Sequence, residues 1–226
     1  MLALAYAPAE YCAPVWCRSS HTSKVDTALH NSLRLISGCI KSTPIPDLSV
    51  VSGITPPDIR RESLCLKLAN KAVNNTHLLN ETICQHPRRR TRLKSRNPLW
   101  QQMQNLRAQE ESENEDAWSR TQWRVRWNNS NSHLKQFIKI PDKHPVGYKL
   151  PRKLWCRLNR VRTGHGRFNY NMHKMGLSAS GACECGYYKQ NSSHFLNDCV
   201  LHRCPTNLSG SQLNDDALQR LEEVDV

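Results

Sequence analysis

Long apolar runs are missing from this sequence. None approaches the roughly 18 residues that a membrane-crossing helix requires, so no membrane partner is expected. Hydrophobic residues make up 38% of the chain and the mean hydropathy is −0.67, which leaves a core possible but favours several small ones joined by polar connectors. The apolar stretch at residues 1–16 has no basic leader and is interrupted by Glu10, so it does not read as a secretory signal. A nuclear or cytoplasmic, non-secreted protein is expected, and the sequons at Asn80 and Asn191 are discounted accordingly. Acidic side chains are in deficit, 19 against 32 Lys and Arg, leaving a formal charge of +13. That excess suits a polyanionic partner, nucleic acid first and an anionic membrane surface second. No internal repeat is visible.

Cysteine, by contrast, is plentiful. Ten thiols without an export signal point to a reducing compartment, where they stay free or bind metal. The helical patterning begins early. From Ser23 to Ser37, Val25, Ala28, Leu29, Leu33 and Ile36 share one face. Ser23 with Asp26 is expected to cap the start, and Gly38 suits the left-handed position past the end. After a Pro-broken linker, Ser42 to Ile54, a second helix is expected, with Thr55 as N-cap and Pro56 at the first helical position. The run from His86 to Arg96, which contains Arg88, Arg89 and Arg90, has six basic side chains and almost nothing to bury; it reads as a connector or an electrostatic arm. Acids at Glu110, Glu111, Glu113, Glu115 and Asp116 then lead into Trp118, Trp123 and Trp127, interleaved with Arg120, Arg124 and Arg126. One helix accounts for this order, its tryptophans packing in a core or, alternatively, stacking on unpaired bases.

Near Val146 a further unit begins. Leu150, Leu154, Trp155, Leu158 and Val161 form an amphipathic stripe that ends at Gly164-His165-Gly166, and a short helix from Arg167 to Met175 closes on Gly176 and Leu177. The string that follows carries chemistry: Cys183-Glu184-Cys185, eight residues, His194, four residues, Cys199. Zinc takes four tetrahedral N and S ligands, and two nearby thiolates can come from one turn eased by Gly186. The His-x4-Cys spacing can present two more from a short helix. Cys-x-Cys is less usual than Cys-x2-Cys, and His202 and Cys204 are possible substitutes. Buried free thiols or a disulfide are the alternative, but a Ser- and Asn-rich loop offers thiols little apolar burial. A closed four-ligand site leaves no position for a catalytic water, and zinc would supply most of the segment's folding energy, about 10–16 kcal/mol.

Three stretches resemble the C-terminal part of reverse transcriptases from jockey-like non-LTR retrotransposons. They are residues 9–16 continuing to Gly38, with Pro56-Pro57-Asp58-Ile59-Arg60-Arg61-Glu62; residues 158–167; and the Cys183, Cys185, His194, Cys199 set. The resemblance spans about residues 5 to 204. It implies a mainly α chain: a helical thumb-like region at 1–75, a polar connector with the Trp/Arg helix at 76–145, a helical zinc-binding module at 146–205 and a polar tail at 206–226. It also implies a grip on RNA or an RNA–DNA duplex through phosphates, by Arg157, Arg160, Arg162 and Arg167, with the arm as a second candidate. His165 would donate to a phosphate or cap its helix.

The departure from that family is chemical. Nucleotide polymerisation needs carboxylates holding two metals, usually in a Tyr-x-Asp-Asp turn. The Asp-Asp pair here, Asp215-Asp216, sits in the polar tail without that context. No polymerase activity is expected from this chain alone, and a complete element would carry the palm upstream of Met1. The expected function is a nucleic-acid-binding remnant of a reverse transcriptase, with an upstream polymerase region as a possible partner. A zinc-stabilised protein-interaction module is the alternative.

Overall fold

The computed structural model describes residues 2–74, 76–81, 104–105, 114–202, 218–219 and 221–222. Arg88, Arg89, Arg90, the rest of the 86–96 arm, Glu110, Glu111, Glu113, Cys204 and Asp215-Asp216 lie outside them. The described chain is helical and has no strand. Its elements are a π turn at Leu2–Tyr6, then α1 (Ala7–Glu10), α2 (Ala13–Trp16), α3 (Thr22–Ser37), α4 (Ile45–Ser52), α5 (Pro57–Ala72), α6 (Glu115–Asn129), a 3-10 turn at His133–Gln136, α7 (Arg152–Thr163), α8 (Asn169–Lys174) and a π turn at His194–Asp198. None of these helices is long and apolar enough to cross a membrane. The chain divides into two compact units, residues 1–29 with 55–128, and residues 30–54 with 129–226.

In the first unit, the tandem Arg60-Arg61 at the start of α5 acts as a clasp. Arg60 forms a bidentate pair with Glu10 and lies over the Tyr6 ring, 5.2 Å from its centroid. Arg61 does the same with Asp26 of α3 and lies 5.5 Å from the Trp16 ring. Both guanidiniums are largely withdrawn from water, where a fork-shaped donor matched to a carboxylate is worth most. Asp26 therefore does not return a helix cap. Ser23 lies inside α3, its carbonyl accepting from the Thr27 hydroxyl. The start of α5 also shifts by one residue. Pro56 is extended (ψ 141°) and Pro57 is the first helical residue, because a residue that precedes a proline is pushed out of the helical region. Asn114 caps α6 with its side-chain oxygen, 2.6 Å from the Ala117 amide. Trp118, Trp123 and Trp127 are buried at 2–3% exposure, so these rings pack a core and offer bases no face.

In the second unit the expected linker at Ser42–Ile54 contains α4. Pro46 falls in its first turn, where a missing N–H costs nothing, and Gly53 (φ +63°) ends it in the left-handed conformation. Leu48, Val50 and Val51 are fully buried. The core of this unit gathers Leu154, Trp155, Leu158 and Val161 of α7 with Phe168, Phe195, Leu196 and Leu221. Gly38 (φ +69°) and Gly164 (φ +71°) terminate α3 and α7 as the sequence suggests. After α8, Gly176 donates to His173 O and Leu177 to Met172 O, the paired bonds of a Schellman end.

Trp123→Ala should lower unfolding stability by about 3–5 kcal/mol in urea titration, the usual cost of deleting a packed indole. Unchanged stability with lost RNA affinity would make this ring a stacking platform instead.

Candidate metal centre

Asn169 anchors the loop that follows α8. Its side-chain amide donates to Ala182 O (2.9 Å), and its backbone N–H to Gln190 Oε1 (2.8 Å). Within the loop, Cys183 N–H reaches Tyr187 O at 2.8 Å and Gly186 N–H reaches Cys183 O at 2.9 Å. This tight reversal requires Gly186 at φ +89°, and it turns Cys183 and Cys185 toward one point. The second pair comes from the π turn. Asn191 Oδ1 accepts the His194 N–H (2.8 Å) at its start, and Cys199 N–H closes on His194 O (2.8 Å) at its end. The wide turn places residue i+5 beside residue i, which is what His-x4-Cys needs.

The four ligand atoms lie within 4.8 Å of one another and could hold one metal ion. Cys183 Sγ is 3.6 Å from Cys199 Sγ, and Cys185 Sγ is 3.3 Å from His194 Nε2. Among the described residues the group includes no further ligand. His202 turns its Nε2 toward Glu184 (3.6 Å) and stacks near Phe195, contributing only its backbone N–H to Cys199 Sγ.

Burial acts to raise the Cys183 thiol, but hydrogen bonds from the Cys185 backbone and from the side chains of His194, Cys185 and Cys199 outweigh it and bring its pKa down to about 6. Burial keeps Cys199 above its ordinary value. The lowered value favours the thiolate form of Cys183 that binds metal. The Tyr187 ring lies parallel to the His194 ring at 4.4 Å, and while His194 Nε2 faces the cysteine sulfurs, its Nδ1 has no hydrogen-bond partner among the described residues.

The basic residues flagged in the sequence have different surroundings. Arg152 donates to Leu35 O and Ile36 O, Asn159 to Ser37 O and Arg160 to Gly38 O, so α7 caps the carbonyl end of α3. Arg157 is buried and donates to Leu221 O and Glu222 O. Arg162 is only 1% exposed, with Nη1 on Val146 O at 2.7 Å, and burial lowers its pKa to about 10. His165 Nδ1 is 3.1 Å from the Ser42 hydroxyl, and burial lowers its pKa despite the charge of Asp47. Arg167 is exposed. Sequence reasoning did not anticipate the capping role, because it depends on which helix end meets α7.

Over 91 residues, 40% of its length, the chain is 32% identical to the retrovirus-related Pol polyprotein from type-1 retrotransposable element R1 of Bradysia coprophila. The chain spans 9% of that relative's own length. No family model matches the chain, and no solved structure matches it. Over that stretch it is similar to a retrotransposon Pol polyprotein, and it carries a Cys/His cluster that could hold a metal ion.

Purified chain should contain close to one metal ion by elemental analysis. Cys199→Ser should lose it and His202→Ala should keep it. A metal-free chain whose circular dichroism ignores chelator would contradict the site.

Proposed function

We propose that this chain is a nucleic-acid-binding part of a jockey-like retroelement reverse transcriptase, its C-terminal module closed by a structural zinc ion and its own chemistry limited to holding RNA or an RNA–DNA duplex. The likeness to the R1 Pol polyprotein carries this reading, with the net charge of +13 beside it. Zinc suits the donor set. Metal–sulfur bonds of about 2.3 Å in a tetrahedron put sulfurs about 3.8 Å apart, close to the 3.6 Å between Cys183 and Cys199. Three sulfurs and one imidazole are soft to borderline donors, which disfavours calcium and magnesium. Bound there, zinc would cross-link the two turns and hold their side chains in register.

Phosphate contacts in this reading fall first to exposed Arg167 at the glycine-flexed turn, with half-buried His165 and Arg160 (whose Nε already donates to Gly38 O) as lesser candidates and the Arg88, Arg89, Arg90 run as another. Arg157 and Arg162 would act one step back, since their guanidiniums are engaged with backbone carbonyls. The sequence has no Tyr-x-Asp-Asp turn, so nucleotide incorporation would belong to another polymerase region. The alternative, a protein-interaction module, draws on exposed Leu177, Val200 and Leu201 near the cluster.

Filter binding of the full chain to single-stranded RNA and to an RNA–DNA duplex should show affinity falling steeply with salt, by about −0.7 in log–log slope per single-strand phosphate contact. No template-primed incorporation is expected. Salt-independent binding, or none, would favour the interaction module.

A further inference from the structure

Beside the metal loop, two lysines converge on one tyrosine. Tyr170 N–H donates to Gln190 O at 3.1 Å, and Gln190 N–H to Gly181 O at 2.8 Å, fastening α8 to both limbs of the loop. Gly181 sits so close that an added Cβ would come within 3.3 Å of Tyr170 Cα and 3.4 Å of its ring. That contact fixes the ring from one side. Over the ring lie Lys174 Nζ at 4.5 Å from the centroid and Lys189 Nζ at 4.3 Å. Lys174 is one helical turn along α8; Lys189 comes from the loop, between the ligands Cys185 and His194.

Two like charges gathered on one ring repel each other, and the ring quadrupole offsets only part of that cost. Among the described residues no carboxylate pairs with either ammonium. Glu184 of the same loop faces His202 instead. An anion arriving between the lysines would therefore meet charge already assembled, without having to displace a salt bridge. Tyr188, next to Lys189, is 75% exposed, and its ring leans on Tyr187 at 4.7 Å, which in turn stacks on the ligand His194. A large aromatic surface in water, braced through its neighbour to the metal cluster and next in sequence to Lys189 of the lysine pair, supplies with that pair the two parts that a single strand uses: a face for an unpaired base and cations for its phosphates. A duplex hides its base faces and would use the lysines alone.

We propose that Lys174, Lys189 and Tyr188, held in place by Tyr170 and the metal loop, form a binding site for single-stranded nucleic acid, with phosphate between the lysines and a base stacked on Tyr188. The site rests on the nucleic-acid-binding reading and names where on the chain it would occur. It uses none of the residues assigned to phosphate contact above.

The test uses the full, metal-loaded chain and fluorescence anisotropy with a labelled oligouridine, the matching oligodeoxythymidine and a duplex of equal length, each across a salt series. Lys174→Gln with Lys189→Gln should flatten the log–log salt slope by about 1.4, the loss of two single-strand phosphate contacts. Tyr188→Ala should weaken oligouridine binding by about fivefold or more, and Tyr188→Phe should restore it. Metal content near that of the parent chain verifies that each variant keeps its loop. Comparable binding of the oligodeoxythymidine also supports the site, since base face and phosphate are common to both. If the parent chain binds oligouridine and these variants match it in affinity and slope, the site is wrong and the broader reading stands. Preference for the duplex overturns the site likewise. No binding of any probe by the parent chain overturns both.

Discussion

Residues 181–202 form a loop whose polar sequence offers little to bury, and its shape depends on four side chains converging at one point. Phe195 and Leu196 reach the core of the second unit, but the Cys183–Cys185 reversal has no such apolar anchor and rests on a handful of hydrogen bonds, within itself and to Asn169 and Gln190, and on its sulfurs. Hydrogen bonds of that kind contribute about 1 kcal/mol each, too little to order a loop of this length against its conformational entropy. A metal ion held by the four side chains would supply the missing term. Its cross-link would also fix what is mounted on the loop: Tyr187 against His194, Tyr188 beyond it, and Lys189 over Tyr170.

Several arginines are engaged within the fold in two ways. Arg60 and Arg61 meet carboxylates, while Arg152, Arg157, Arg160 and Arg162 meet carbonyls, Arg152 and Arg160 at the end of α3 where backbone acceptors have no helical partner. A basic helix facing a helix C-terminus is also electrostatically favourable, since that end carries partial negative charge. The net charge of the chain therefore overstates what is available to a polyanion. Arg167 and Lys174 face water and Lys189 of the metal loop does so in part, as do lysines and arginines scattered over the other elements, such as the exposed Lys67, Arg120 and Lys153.

Much of this was legible in the sequence because it follows local rules. The glycines at 38, 164 and 176 end helices where the periodicity stops, and the Cys-x-Cys, His-x4-Cys spacing places four ligands together. The tryptophans of α6 were ambiguous between core and stacking, and burial resolves them. The segment Ser42–Ile54 misled because two prolines suggest a broken linker, yet one of them sits in the first helical turn, where it is harmless. Asp26 looked like a cap because Arg61, its partner, lies far along the chain. The same distance hides the capping of α3 by α7 and the meeting of Lys174 with Lys189. Periodicity reports which face is apolar; it does not report what that face will meet.

The central claim is that one zinc ion joins Cys183, Cys185, His194 and Cys199. X-ray absorption at the zinc edge on the purified chain tests it most directly. The account predicts a four-coordinate shell of three sulfurs at about 2.3 Å and one imidazole nitrogen at about 2.0 Å. A shell dominated by nitrogen and oxygen, or one with a single sulfur, would contradict it.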